Sequence, residues 1–211
     1  MKLWLLFLCV VLAFSSVCVS ASCTTPLIPL VGQYVFITST VHSGDMGGIV
    51  GADAICQARA DATAFMGSPR TYKAWLSNST FQPSSGIVGS ILPYARPDGT
   101  IIANNWAELV SGTLQAPPNL TETCVGAPAG SATGFLGQLG YVRTGTDNTG
   151  APFWPTEVMC GDWTSTTFTG THNLPYGNPT SVNFWSFTVA AAPSYENCTS
   201  LAPIYCIGLL V

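Results

Sequence analysis

Any acid–base or metal chemistry in this chain would rest on few side chains, because its 211 residues include only 2 histidines and 10 carboxylates. A hydrolase needs a nucleophile beside a base, and His172, followed by Asn173 in a polar run, is the one base whose surroundings suit that role. The sequence has neither a Gly-x-Ser-x-Gly elbow nor a His-Glu-x-x-His pair, so an exposed loop position accounts for His172 without catalysis. Asp147-Asn148-Thr149-Gly150 has the residue types of half a calcium loop. Asp, Asn and Gly are also what a hairpin turn requires, and a turn is the expected reading. Zinc has no evident ligand set, since there is no Cys-x-x-Cys and both His42 and His172 stand far from any pair of cysteines. These residues predict no cofactor, no metal and no catalytic group.

Recognition by stacking and amide hydrogen bonds is the chemistry the sequence does offer. Thr166 to Asn183 is a run of Thr, Gly, Asn and Pro without periodicity, and a polar loop of that length is either mobile or functional. Trp154, Tyr176 and Trp185 flank or occupy it, and with His172, Asn173 and Asn178 they form the candidate ligand-binding set. Core packing is the competing reading for the three aromatic rings.

The surroundings of this run limit the partners. Charged residues make up 8% of the chain and the formal net charge is -4, with no basic run, so a nucleic-acid surface is excluded. Hydrophobic residues make up 47%, part of which belongs to the N-terminus, where Lys2 precedes an apolar stretch from Leu3 to Phe14. Val19-Ser20-Ala21 supplies the small residues of a cleavage site, so residues 1–21 read as a signal peptide and 22–211 as one secreted domain with no membrane contact after cleavage. Loss of Lys2 takes the net charge from -4 to -5. Six cysteines remain, Cys23, Cys56, Cys124, Cys160, Cys198 and Cys206, and an even count in an exported chain reads as a disulfide framework. Sequons at Asn78 and Asn119 mark candidate glycosylation sites, whereas the one at Asn197 is weakened by Cys198 in its middle position.

The elements that would position these residues can be read from periodicity. Tyr34 to Ser39 is a β-branched and aromatic strand, and Tyr72 to Leu76 is another. Between them Ile49, Ala52, Cys56, Ala60 and Ala64 recur at intervals of three and four, which predicts a helix with Cys56 on its buried face. Asp53 is expected near the helix start, where a carboxylate suits the dipole, and Gly67 and Pro69 are the stop signal. A second short helix is expected over Asn104 to Val110, with Asn105 as N-cap and Glu108 as its capping-box partner. Gly140 to Arg143, Met159 to Ser165, Phe184 to Val189 and Ile204 to Leu209 read as β-like.

Seven stretches in order carry a family resemblance: Gly44 to Asp53, Cys56 to Ala60, Tyr72 to Ser77, Trp106 to Gly112, Gly145 to Gly150, Cys160-Gly161-Asp162-Trp163-Thr164 and Ile204-Tyr205-Cys206-Ile207. Together the chain resembles the endostatin-like branch of the C-type-lectin-like fold, with the match strongest to secreted, often microbial, members. The resemblance implies an α+β fold, two helices packed on mixed, mainly antiparallel strands with long loops. It also implies nested disulfides, Cys56 to Cys206 and Cys160 to Cys198, the first closing a loop worth on the order of 4 to 5 kcal/mol. Cys23 and Cys124 have no counterpart in the family, and by elimination they join each other or one bridges between chains.

The family's ligands transfer poorly. Asn178-Pro179 stands where calcium-binding lectins carry their sugar loop, but Gly177 replaces the acidic or amide residue and Thr166 to Phe184 contains no carboxylate. Heparin recognition needs an arginine-rich face, and the exported chain would have only Arg59, Arg70, Lys73, Arg96 and Arg143. The zinc-binding N-terminal histidines of endostatin are missing. The expectation is a secreted, non-catalytic binding or adhesion module that meets a glycan or an extracellular protein through residues 166–184. A structural coat or matrix component is the alternative, and a hydrolase the remoter one.

Overall fold

The strand β1 (Gln33–Ile37) is buried at every residue, and its side chains alternate between two cores. Tyr34 and Phe36 enter one core, Val35 and Ile37 the other, so the strand reads as a continuous apolar run because both faces of its sheet are covered. In this computed structural model, residues 32–63, 66, 69–128, 141–153, 159–167, 176–183, 185–187 and 198–210 are described. The proposed leader, Cys23, Trp154, His172, Asn173 and Asn197 lie outside them.

The elements that follow are α1 (Gly48–Asp61), β2 (Arg70–Ala74), α2 (Pro83–Gly86), β3 (Tyr94–Ala95), β4 (Ile101–Ala103), α3 (Trp106–Leu109), β5 (Val142–Arg143), a helical turn at Cys160–Trp163, β6 (Tyr176–Gly177) and β7 (Tyr205–Leu210). The five-stranded sheet has the order β2-β7-β1-β3-β4, and β5 and β6 form a separate ribbon. Among the strand pairs of the described residues only β1–β3 is parallel, which makes the fold α+β with a mixed, mainly antiparallel sheet.

Helix α1 begins where Gly47 and Gly48 adopt φ of 77° and 75°, a left-handed entry that glycine makes without steric cost. Ala52, Cys56 and Ala60, one turn apart, form its buried stripe, and their small size lets the helix lie close to β2 and β7. Cys56 is joined to Cys206 on β7, 150 positions along the chain, and Cys160 to Cys198. This is the nested pairing that the resemblance implies. Cys124 is disulfide-bonded as well, to a partner outside the described residues.

The helix departs from expectation at both ends. It has no acidic residue in its first turn and it closes at Asp61, before the Gly67 and Pro69 signal. Asp53, five residues into the helix, reaches sideways to the edge of the sheet. Its Oδ1 accepts the Ala74 backbone N–H at 2.8 Å, its Oδ2 meets Lys73 Nζ at 2.7 Å, and the neighbouring Gln57 Oε1 accepts the Tyr72 N–H at 3.0 Å. The outer N–H groups of edge strand β2 are thereby capped by helix side chains, which blocks the addition of another strand. Replacing Asp53 with Ala leaves the N–H of fully buried Ala74 without its partner and is expected to cost about 1–3 kcal/mol in urea unfolding. Asn at the same position keeps the acceptor. If Asp53→Asn loses as much as Asp53→Ala, the ion pair with Lys73 is the important contact instead.

The short helix α3 is capped much as its sequence predicts: Asn105 Oδ1 accepts Glu108 N–H at 3.0 Å, while Glu108 Oε2 reaches back to the N–H of Asn104 at 2.7 Å. Two β-like readings need correction. Met159 to Ser165 is no strand, because Cys160, Gly161, Asp162 and Trp163 take φ of 52°, 60°, 56° and 69° and form a single left-handed turn. Each non-glycine residue there costs roughly 1–2 kcal/mol in backbone strain. Fully buried Trp163, whose Nε1 donates to Ser77 O at 2.8 Å, offsets it together with the Cys160–Cys198 bridge. Of Phe184 to Val189, the described residues 185–187 form a bend and an extended link outside any strand.

Candidate functional site

The polar run is anchored before it is exposed. β6 pairs with β5, Val142 against Gly177 and Arg143 against Tyr176, and β5 is tied to the segment that leads into β7 by Arg143 N–H to Pro203 O at 2.9 Å. A Cβ at Gly177 would lie 2.0 Å from Trp185 O, so this close approach requires glycine. Tyr176 is 4% exposed and packs in the first core, its ring 5.6 Å from that of Tyr141. Trp185 is fully buried, 4.8 Å from Trp75 and 5.4 Å from Tyr205 between ring centroids. Both rings of the candidate set that can be placed are therefore core residues. Asn178 Oδ1 accepts from Thr180 N–H at 3.0 Å and Thr180 Oγ1 at 2.8 Å, holding a turn whose tip, Thr180, is exposed. Trp154, His172 and Asn173 lie outside the described residues.

The surface that these anchors hold up includes residues which spacing did not single out for binding. Asp147 Oδ1 collects the N–H groups of Thr149 and Ala151 at 2.8 and 2.9 Å, which makes Asp147-Asn148-Thr149-Gly150 the turn its composition predicts. Asn148 then bridges 35 residues: its Nδ2 donates to Asn183 O at 2.6 Å, and its Oδ1 accepts the N–H groups of Ser186 and Phe187, each at 3.0 Å. Phe153 and Phe187 stack at 3.5 Å between centroids, both half-buried. Below them a buried polar lattice joins Trp75 Nε1 to Ser186 Oγ at 2.6 Å, Ser186 Oγ to Thr146 O at 2.9 Å and Thr144 Oγ1 to Ser186 O at 2.7 Å. Satisfied buried networks of this kind rigidify what they support. The result is a fixed platform of exposed Thr149, Thr180 and Asn183 beside a stacked phenylalanine pair. Its two turns are local, but the contacts that join them into one surface are long-range, so chain spacing carries no signal for the whole.

The strongest charged cluster lies elsewhere. Glu122 is fully buried, and its carboxylate accepts from Arg59 Nε at 2.7 Å, from Arg59 Nη2, from Ser39 N–H at 2.9 Å and from the Ser39 hydroxyl. Three of these donors reach Oε1 and the Ser39 N–H reaches Oε2, which ties the carboxylate to α1 and to the segment that follows β1. His42 is half-buried beside this cluster with Nε2 2.9 Å from Thr40 Oγ1. Among the described residues no hydrogen bond joins a histidine to a carboxylate, and no group of three or more His, Cys, Asp or Glu could hold a metal ion. No described helix is long and apolar enough to cross a membrane.

Burial, with the nearby Arg59 and Arg143 guanidinium groups, holds the His42 imidazole below its ordinary value of 6.5. The unfolded chain thus binds the proton more readily than the folded one, and stability contributed by neutral His42 is present above pH 6.5 and declines as pH falls below it. His42→Gln is expected to flatten the stability profile across that window in urea titrations. A profile unchanged by the substitution would place the acid sensitivity in other groups.

No protein-family model matches the sequence, and neither does any curated protein.

Proposed function

We propose that this chain is a secreted, non-catalytic binding module of the endostatin-like, C-type-lectin-like type, recognising a glycan or an extracellular protein. The observation that carries the reading is the Asn148 clamp, which fixes hydroxyl and amide groups beside the Phe153–Phe187 stack on a chain with only 8% charged residues. Neutral hydrogen-bonding groups next to an aromatic face suit sugar rings and uncharged peptide better than ionic ligands. The disulfide pairing that accompanies the resemblance supports the fold assignment, and disulfides of this kind suit an oxidising compartment. The tie of buried Glu122 to Arg59 and Ser39 gives this carboxylate a structural role, which supports the non-catalytic part.

The platform is tested by displaying the protein on arrays of glycans and matrix proteins beside the Asn183→Ala/Phe187→Ala variant. Retention is expected to fall at least about tenfold with the near-UV spectrum unchanged, as for the loss of a central contact. Undiminished retention moves the binding surface away from these residues. The second reading, a building block of a coat or matrix, draws on Val88 and Ile91, which are 83% and 92% exposed. It gains if the protein assembles with rising concentration in sedimentation and Val88→Ser/Ile91→Ser abolishes that assembly.

A further inference from the structure

We infer that Asn78 is an N-glycosylation acceptor that stays open in the folded protein, whereas the sequon at Asn119 is closed by folding. Asn78 Oδ1 accepts the N–H groups of Thr80 and Phe81 at 3.0 and 2.7 Å and faces Thr80 Oγ1 at 3.4 Å. Two backbone donors converging on one atom fix it as the oxygen, which identifies the other amide atom as Nδ2. That nitrogen makes no hydrogen bond among the described residues, and the next two residues of the sequon, Ser79 and Thr80, are exposed. The hydroxyl that a glycosyltransferase must read at the third position is therefore at the surface.

The contrast with the second sequon is a contrast of burial. Thr121, its third residue, is fully buried, and its hydroxyl is engaged with Val125 O at 3.1 Å and Thr123 Oγ1 at 3.1 Å. Leu120, its middle residue, supplies the carbonyl that accepts the N–H of Ile37 at the end of β1 at 2.9 Å, and Asn119 Oδ1 accepts from Arg96 Nη1 at 2.8 Å. Presenting this tripeptide to an enzyme would pull on the central sheet. Presenting the Asn78 sequon breaks a surface turn and the contact of Ser79 with Asp162.

The transfer needs a sugar activated as a diphosphate ester. The bond from Nδ2 to the anomeric carbon forms as that carbon's bond to the phosphate oxygen breaks, the diphosphate departs with the electron pair, and the amide proton passes to a base of the transferase. The donor could be lipid-linked or nucleotide-linked, and two arms separate these sources. In one, the full chain is made in a glycosylating secretory host and treated with peptide N-glycosidase in heavy-oxygen water, so that formerly glycosylated Asn78 is read as labelled Asp by mass spectrometry. In the other, the folded, sugar-free chain is given a soluble N-glycosyltransferase with UDP-glucose, before and after reduction and unfolding.

Sugar on Asn78 in either arm supports the assignment and names the donor class, with Thr80→Ala abolishing it and Thr80→Ser retaining it. For the native chain in the second arm, Asn78 is expected to be modified many-fold faster than Asn119, and unfolding is expected to remove the difference. Absence of sugar from Asn78 in both arms overturns the proposal. So does modification of native Asn119 at a rate comparable to that of Asn78.

Discussion

Replacing Cys56 and Cys206 together with Ala is expected to lower the unfolding free energy by about 5 kcal/mol, the chain-entropy value for a closure of this length. The bridge spans 150 residues and joins the middle of α1 to β7, which lies between β1 and β2 in the sheet. The Cys160–Cys198 closure spans 38 residues and is worth about 4 kcal/mol by the same relation. Urea unfolding of the two double variants therefore has an expected order, with the 56/206 variant unfolding at lower denaturant. The reverse order would mean that release of the left-handed turn at Cys160–Trp163 outweighs loop length.

The second large effect concerns Glu122. Removing its guanidinium partner with Arg59→Met leaves a fully buried carboxylate with only the Ser39 donors, and the expected loss at neutral pH is about 3–5 kcal/mol. Arg59→Met/Glu122→Gln is expected to recover most of it, since the neutral amide can still accept from Ser39. If the double variant is as unstable as the single one, an unpaired buried charge is not the cause of the loss.

What the sequence revealed about this fold depended on how local each feature is. The stripe Ala52, Cys56 and Ala60, the Asn105 cap and the Asp147 to Gly150 turn all arise from residues within two helical turns of one another, and each stands where its pattern puts it. The disulfide partners came from resemblance, because six cysteines alone permit fifteen pairings. Tyr176 and Trp185 looked available for stacking because their neighbours in the chain are polar. Their burial is decided by Trp75, Tyr141 and Tyr205, which are distant in sequence. Asp53 was read through the helix it belongs to, but the group it serves is the backbone of β2. The left-handed turn is hidden for a stronger reason: Cys and Trp do not favour positive φ, and tertiary contacts impose it.

The place of β7 in the sheet has a consequence for synthesis. Because the last strand inserts between β2 and β1, two of the first strands made, a ribosome-bound chain has no complete sheet until residues 205–210 have emerged. Until then β2 and the β1–β3–β4 unit are separate fragments with open edges, and Cys56 waits as a free thiol for a partner translated 150 residues later. Cys124 emerges in the meantime, so a wrong bridge from Cys56 is the hazard of a pause, and a thiol–disulfide isomerase is the helper this topology calls for.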